Sequence, residues 1–267
     1  MGADIKKLRS RIKSVDSTLH LTNAMGLVAS SKIKKATTRM LKSNEYAKAF
    51  SDSVQALIAS PECAKTPYVQ KRDTDKVCLI VVAGDRGLAG GYNANIFRFM
   101  RDYTPTRIIP VGKRACDRYK GELIPAEDFS YEYGLELAKA LCGGFRDGEY
   151  DRVGILYTKY ISIMSQEPEI RWLLPLERAE GAKSRSVLFE PDEETVLESV
   201  IYEYIAAMIV AGVRESYASE VAARRFAMDA AGKNAQTMLD DLQVKYNRAR
   251  QGAITQEITE IVAGSDA

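Results

Sequence analysis

Proline is missing from both ends of this 267-residue chain. All eight prolines fall between Pro61 and Pro191, which leaves residues 1–60 and 192–267 without one. Proline removes a backbone donor and clashes with the preceding helical turn, so each flank is free to form one unbroken helix. At 1.5 Å per residue such helices would reach roughly 90 and 110 Å. Histidine is almost as scarce. His20 stands alone, in the first flank, far in sequence from any plausible pocket, which argues against Ser-His and Cys-His catalysis and makes it a surface-facing helix residue. Cys63, Cys78, Cys116 and Cys142 show neither CxxC spacing nor a disulfide framework. No metal site is expected from them, and a reducing compartment is. No run approaches 18 uninterrupted apolar residues, and no signal-type apolar core opens the chain. The longest candidate, Ile205 to Val213, is far too short to span a bilayer, so any membrane association is expected to go through a partner.

Strong charge of either sign is also absent. Thirty-eight basic against 36 acidic residues give +2, so no nucleic-acid role follows from the whole chain. The distribution is uneven. Residues 1–60 hold eleven Lys and Arg against Asp4, Asp16, Glu45 and Asp52. Such a face suits an acidic partner surface, or simply keeps a long helix soluble.

The first flank carries a heptad repeat. One seam is Ile5, Ile12, Leu19, Gly26, Ile33, Met40, Ala47 and Val54; the other is Leu8, Val15, Thr22, Ala29, Ala36, Ser43, Phe50 and Leu57. Alternating steps of four and three predict a left-handed coiled coil. The seam thins at Gly26, Ala29 and Ala36, where a partner helix can approach closely. The last flank opens with Asp192, Glu193 and Glu194, as a helix N-terminus prefers. It reads as broadly apolar to about Glu215 and amphipathic beyond, interrupted by Gly212, Gly232 and Gly252, each costing about 1 kcal/mol against alanine. The simplest partner for the first seam is this second stripe, antiparallel in the same chain. A homodimeric coiled coil has the same periodicity.

Between the flanks the rhythm changes. Val77 to Ala83 is an apolar run suited to a strand buried on both faces. It leads through a glycine-rich turn, Gly84–Gly91, into a helix from about Asn93 to Tyr103. Strands follow at 107–111 and 153–158, helices at 113–119 and 133–146, and an edge strand at 170–176 ended by Pro175. Strands alternating with helices predict a mainly parallel sheet. The expected fold is therefore α/β: a Rossmann-like middle, 61–191, between coiled-coil helices 1–60 and 192–267.

Chemistry is sparse. The turn at Gly84–Gly91 lies where many folds cradle phosphate, yet Tyr92 and Asn93 replace the Lys-Ser/Thr of a P-loop, and the glycine order breaks GxGxxG. A tight crossover turn fits better than a nucleotide site, and no cofactor is expected. Carboxylate pairs (Asp240 with Asp241, Glu257 with Glu260) read as solubility and capping charges. The stretch Tyr246 to Val262 instead mixes small, polar and charged residues around the whole helix, as expected of a helix surrounded by partners.

These segments together resemble the gamma subunit of the F-type ATP synthase. The resemblance rests on Ile5-Lys-Lys-Leu-Arg-Ser-Arg-Ile-Lys-Ser-Val15, Thr22-Asn-Ala-Met-Gly-Leu-Val-Ala29 with Lys32, Asp85-Arg-Gly-Leu-Ala-Gly-Gly-Tyr-Asn93, Tyr246-Asn-Arg-Ala-Arg-Gln251 and Ile254-Thr-Gln-Glu-Ile-Thr-Glu-Ile-Val262. Gly26 replaces an acidic residue often found there in the family, and the cysteine-bearing insertion of the chloroplast form is absent. The resemblance implies a non-catalytic rotor shaft in a proton-translocating complex at the cytoplasmic face of a bacterial membrane. Its implied partners are the alpha and beta subunits of the hexamer, the epsilon subunit and the membrane c-ring. It assigns Met25, Arg250, Gln251, Thr255 and Glu257 to the hexamer, and Asp85, Arg86, Gly87, Gly90 and Gly91 to the crossover turn at the stalk foot. Two other readings stand beside it: a coiled-coil adaptor with an α/β docking module, and an enzyme binding nucleotide at Gly84–Gly91.

Overall fold

A computed structural model describes residues 2–72, 76–178 and 189–265. The elements are α1 (Gly2–Ile58), β1 (Val77–Val82), α2 (Tyr92–Phe99), β2 (Arg107–Val111), α3 (Lys113–Tyr119), α4 (Tyr131–Arg146), β3 (Arg152–Tyr160), β4 (Gln166–Leu174) and α5 (Glu193–Ser265). Both proline-free flanks are thus single helices, of 57 and 73 residues. Asp192 starts α5: its carboxylate accepts the Thr195 backbone N–H at 2.8 Å and hydroxyl at 2.9 Å, filling an N-terminal donor that the helix leaves open. The chain divides into two compact units, Met1–Ser30 with Arg224–Ala267, and Ser31–Ala223.

The first unit is an antiparallel helix pair. A Cβ added to Gly26 would sit 3.0 Å from Arg225 Nη1 and 3.7 Å from Met228 Cβ; one on Gly232 would sit 3.1 Å from Asn23 Oδ1. The small residues are there because the opposite helix is close. The seam's partner is therefore in the same chain, and the periodicity alone had left this open. All sixteen seam positions of α1 are buried or half-buried; off the seam, Ile58 is also buried and Met25, Lys32 and Asn44 are among those half-buried.

The second unit is built on a four-stranded sheet in the order β2-β1-β3-β4. β1 pairs in parallel with β2 and β3, and β4 runs antiparallel to β3 at the edge. Side chains of a strand alternate between faces. Cys78, Ile80 and Val82 accordingly enter one core with α4 and α5, while Leu79, Val81 and Ala83 enter another with α2 and α3. This double burial explains the continuous apolar run. The edge strand begins at Gln166, earlier than its pattern indicated, and tolerates Pro168 because only one neighbour needs a backbone donor. All four cysteines are free and buried. Burial pushes the Cys63 and Cys78 thiols up to about 11 and that of Cys142 to about 12, which suppresses thiolate chemistry.

One expectation fails. α5 does not turn amphipathic after Glu215: from Tyr204 to Ala222 every residue is buried except the half-buried Met208, Arg214 and Tyr217. At Gly212 the helix presses on β3 so closely that a Cβ would lie 2.9 Å from Ile155 Cδ1. The helix holds an 18-residue window with a mean hydropathy of 1.7, of which 61% is buried inside the fold. It is the core helix of this unit, and the amphipathic stretch starts only beyond it.

Candidate functional site

The end of α5 has the least cover. Asp4 and Leu8 share a cleft with Leu242 and Lys245, so α1 runs out near this level and about five more turns of α5 continue past it. Between Arg250 and Val262 only Ala253 is less than exposed. Arg250, Gln251, Thr255 and Glu257 all present their side chains outward. Ile254, Ile258, Ile261 and Val262 are 45%, 56%, 71% and 55% exposed. Scattered exposed apolar residues are ordinary, but 254, 258 and 261 follow helical spacing and form a stripe. The Thr255 hydroxyl donates to the Gln251 carbonyl at 3.0 Å, and Gln256 donates to Glu260 at 2.8 Å. No neighbouring atom comes within 4 Å of a Cβ placed on Gly252.

Met25 belongs to a different level. It is half-buried on α1 beside Gly26, which faces Met228. Arg250 lies 22 positions beyond Met228, or roughly 30 Å along the helix. The five residues therefore form two separate stations on one helix pair.

The turn Gly84–Gly91 is closed by its own groups. The Asp85 carboxylate accepts the backbone N–H groups of Lys113 at 3.2 Å, Ala126 at 3.1 Å and Glu127 at 2.9 Å. Gly84 N–H donates to Asn93 Oδ1 at 2.9 Å. An internal carboxylate thus takes the first backbone donor of α3, Lys113 N–H, together with two from the loop at Ala126 and Glu127, where a phosphate would otherwise seek donors. Gly90 adopts φ 58°, the left-handed region that glycine enters without strain. Arg86 lies 3.9 Å from Glu127, which also accepts from Lys32 Nζ at 2.6 Å. Gly87 packs against Arg114, and Gly91 precedes α2. The turn joins β1 to α2 and, through Glu127, reaches Lys32 on α1.

Burial raises the Glu127 pKa, but hydrogen bonds from Lys32 and Tyr217 and the charges of Lys32 and Arg86 outweigh it, leaving the carboxyl below its ordinary value.

Sequence reading missed a buried polar column on α5. Ser216 Oγ accepts the Thr158 backbone N–H at 3.1 Å and lies 2.8 Å from the Tyr92 hydroxyl. Ser219 donates to the Thr158 carbonyl at 3.0 Å. Glu215 accepts from Tyr160 N–H at 3.2 Å and from Asn44 at 3.3 Å, and lies 3.6 Å from Arg171. These groups tie α5 to the strand end where β3 carries its last buried residues. The available signal was the polar interruption Arg214-Glu215-Ser216 in an apolar helix.

The ATP synthase family model matches residues 4–267. The chain is 37% identical to the ATP synthase gamma chain of Ruminococcus albus over 98% of both chains. It is 33% identical to the sodium ion specific gamma chain of Acetobacterium woodii over 100% of this chain and 99% of that one. In fold it resembles a chain of the Euglena gracilis mitochondrial ATP synthase OSCP/F1/c-ring structure, with a TM-score of 0.73 at 18% identity over 100% and 95% of the two chains. A chain of the rotor structure of the same enzyme gives 0.67 at 16% identity over 95% and 100%. The two unbroken helices, the α/β middle and these near-complete matches have one conclusion: the chain belongs to the ATP synthase gamma-chain family.

Proposed function

We propose that this chain is the central rotor shaft of a proton-translocating F-type ATP synthase at the cytoplasmic face of a bacterial membrane. In this reading it transmits torque between the membrane c-ring and the alpha and beta subunits of the nucleotide-binding hexamer, and performs no bond chemistry itself. The observation that carries it is the end of α5, which outruns its partner helix and is exposed around its circumference. Exposed Arg250, Gln251, Thr255 and Glu257 then contact the hexamer's loops, where an arginine can exchange charge-assisted bonds among carboxylates as the shaft turns. The shaft is asymmetric in what it presents, so each hexamer subunit meets a different surface. Different contacts with different states are what couple distant sites. The α/β middle, with its turn at Asp85 to Gly91, serves as the foot against the c-ring and the epsilon subunit.

The test is reconstitution of the hexamer and the complex's membrane sector, with and without this chain, in ion-tight vesicles. The expected result is one copy per hexamer and ATP-driven acidification that requires the chain. Acidification that persists when sodium is removed supports protons; collapse without sodium replaces them with the ion named for the Acetobacterium woodii relative. An adaptor would copurify without changing ATPase activity.

A further inference from the structure

A cleft of about 350 Å³ in the second unit is lined by Arg39 and Lys42 of α1, Arg214 and Tyr217 of α5, and the segment from Ala126 to Phe129. None of its lining residues belongs to the turn at Gly84–Gly91, which it adjoins through Ala126 and Glu127, and it belongs to neither station on the helix pair. Three cations converge there, and among the described residues none makes an ion pair. Arg214 is the most constrained. It is half-buried, and donates to the Ser43 hydroxyl at 2.6 Å. Burial, then the charge of Arg39, disfavours its protonated form. Both acids on the cleft wall are accounted for. Glu127 is held by Lys32 at 2.6 Å, with Arg86 at 3.9 Å, and Asp128 is exposed and bridges to none of the three.

A half-buried guanidinium beside a like charge costs folding energy unless an anion compensates it. Arginine's planar fork matches a phosphate through two parallel bonds, and a lysine supplies a third donor as a point charge. The buried Ala36, Ala126 and Phe129 floor the cleft with apolar surface, lowering the local dielectric and strengthening such contacts. The geometry points to a phosphate-binding site at Arg39, Lys42 and Arg214, taking free inorganic phosphate or the terminal phosphate of a nucleotide.

The experiment is calorimetric titration of the full chain with inorganic phosphate, ADP and, at matched ionic strength, sodium chloride. Phosphate binding that Arg214→Gln and, separately, Arg39→Gln each weaken at least tenfold supports the site. Arg39 is exposed, so its variant keeps the fold even if loss of Arg214 disturbs it. Inorganic phosphate binding as tightly as ADP identifies the free anion, whereas tighter ADP identifies a nucleotide tail. No heat beyond the chloride control, or binding unaltered in both variants, overturns the proposal. It is equally overturned if phosphate does not bind and the variants instead lose affinity for the partner subunits, which would make the cations a seat for a protein carboxylate.

Discussion

Gly212 and Gly252 occupy one helix in opposite surroundings, and substituting each separates packing from propensity. A side chain at Gly212 meets the buried Ile155, so Gly212→Leu overpacks a filled core. The expected loss is about 1–3 kcal/mol, read as a lower midpoint in urea unfolding. At Gly252 nothing approaches within 4 Å, and alanine gains about 1 kcal/mol of helix propensity. Gly252→Ala should therefore slow amide exchange in the last turns of the isolated chain. Reduced ATPase in the assembled complex would show that a partner backbone needs the space. Glu127 supplies the acid dependence. Its folded pKa is depressed by Lys32 and Arg86 against the opposing effect of burial. The stabilisation is present above the unfolded carboxylate value of about 4.3 and lost as pH falls through the folded one. Glu127→Gln should flatten the acid limb of a stability–pH curve below about pH 5 and leave its neutral part parallel to wild type.

At the scale of elements, legibility followed periodicity. The sixteen heptad positions of α1 are all covered because one partner covers one stripe, and a stripe is what periodicity records; the off-seam Ile58, Lys32 and Asn44, which also meet other parts of the fold, were not marked. β1 was legible because a strand buried on both faces must be apolar throughout. The helix α5 between Tyr204 and Ala222 was not legible in the same way. There it is surrounded, and Glu215, Ser216, Ser219 and Glu220 read as an exposed face although they are buried. Polar type signals exposure only when no protein partner is available, and strand β3 provides partners here. Ser216→Ala tests this. It removes the acceptor of the buried Thr158 N–H, and an unsatisfied buried donor costs about 1–3 kcal/mol. Unfolding should shift by that amount, whereas Ser199→Ala, on the exposed start of α5, should stay within about 0.5 kcal/mol of wild type. The individual candidate contact residues were legible only through family resemblance, whereas the stretch Tyr246 to Val262 stood out by its mixed composition. Exposure of Arg250, Gln251, Thr255 and Glu257 has no periodic signature.

At the scale of the whole molecule, a shaft is tested by whether its two ends remain coupled. Met25 offers a change that is small for the chain and large for the machine. It is half-buried on α1, where a lysine can lay its methylenes along the helix and extend its ammonium outward. The isolated chain should keep its fold and unfold close to wild type. On the proposed rotor function the added cation would meet the surrounding hexamer, and a charge-assisted bond to a partner carboxylate would favour one angular position over the others. A ligand or contact shifts an equilibrium only by its differential affinity for the states, so the bond would unbalance the states that turn in sequence. Met25→Lys should therefore leave ATP hydrolysis running while fewer protons are pumped per ATP, measured as vesicle acidification against phosphate release. Pumping at the wild-type ratio would remove Met25 from the contact surface. It would leave Arg250, Gln251, Thr255 and Glu257, roughly 30 Å further along, as the station through which the shaft engages the hexamer.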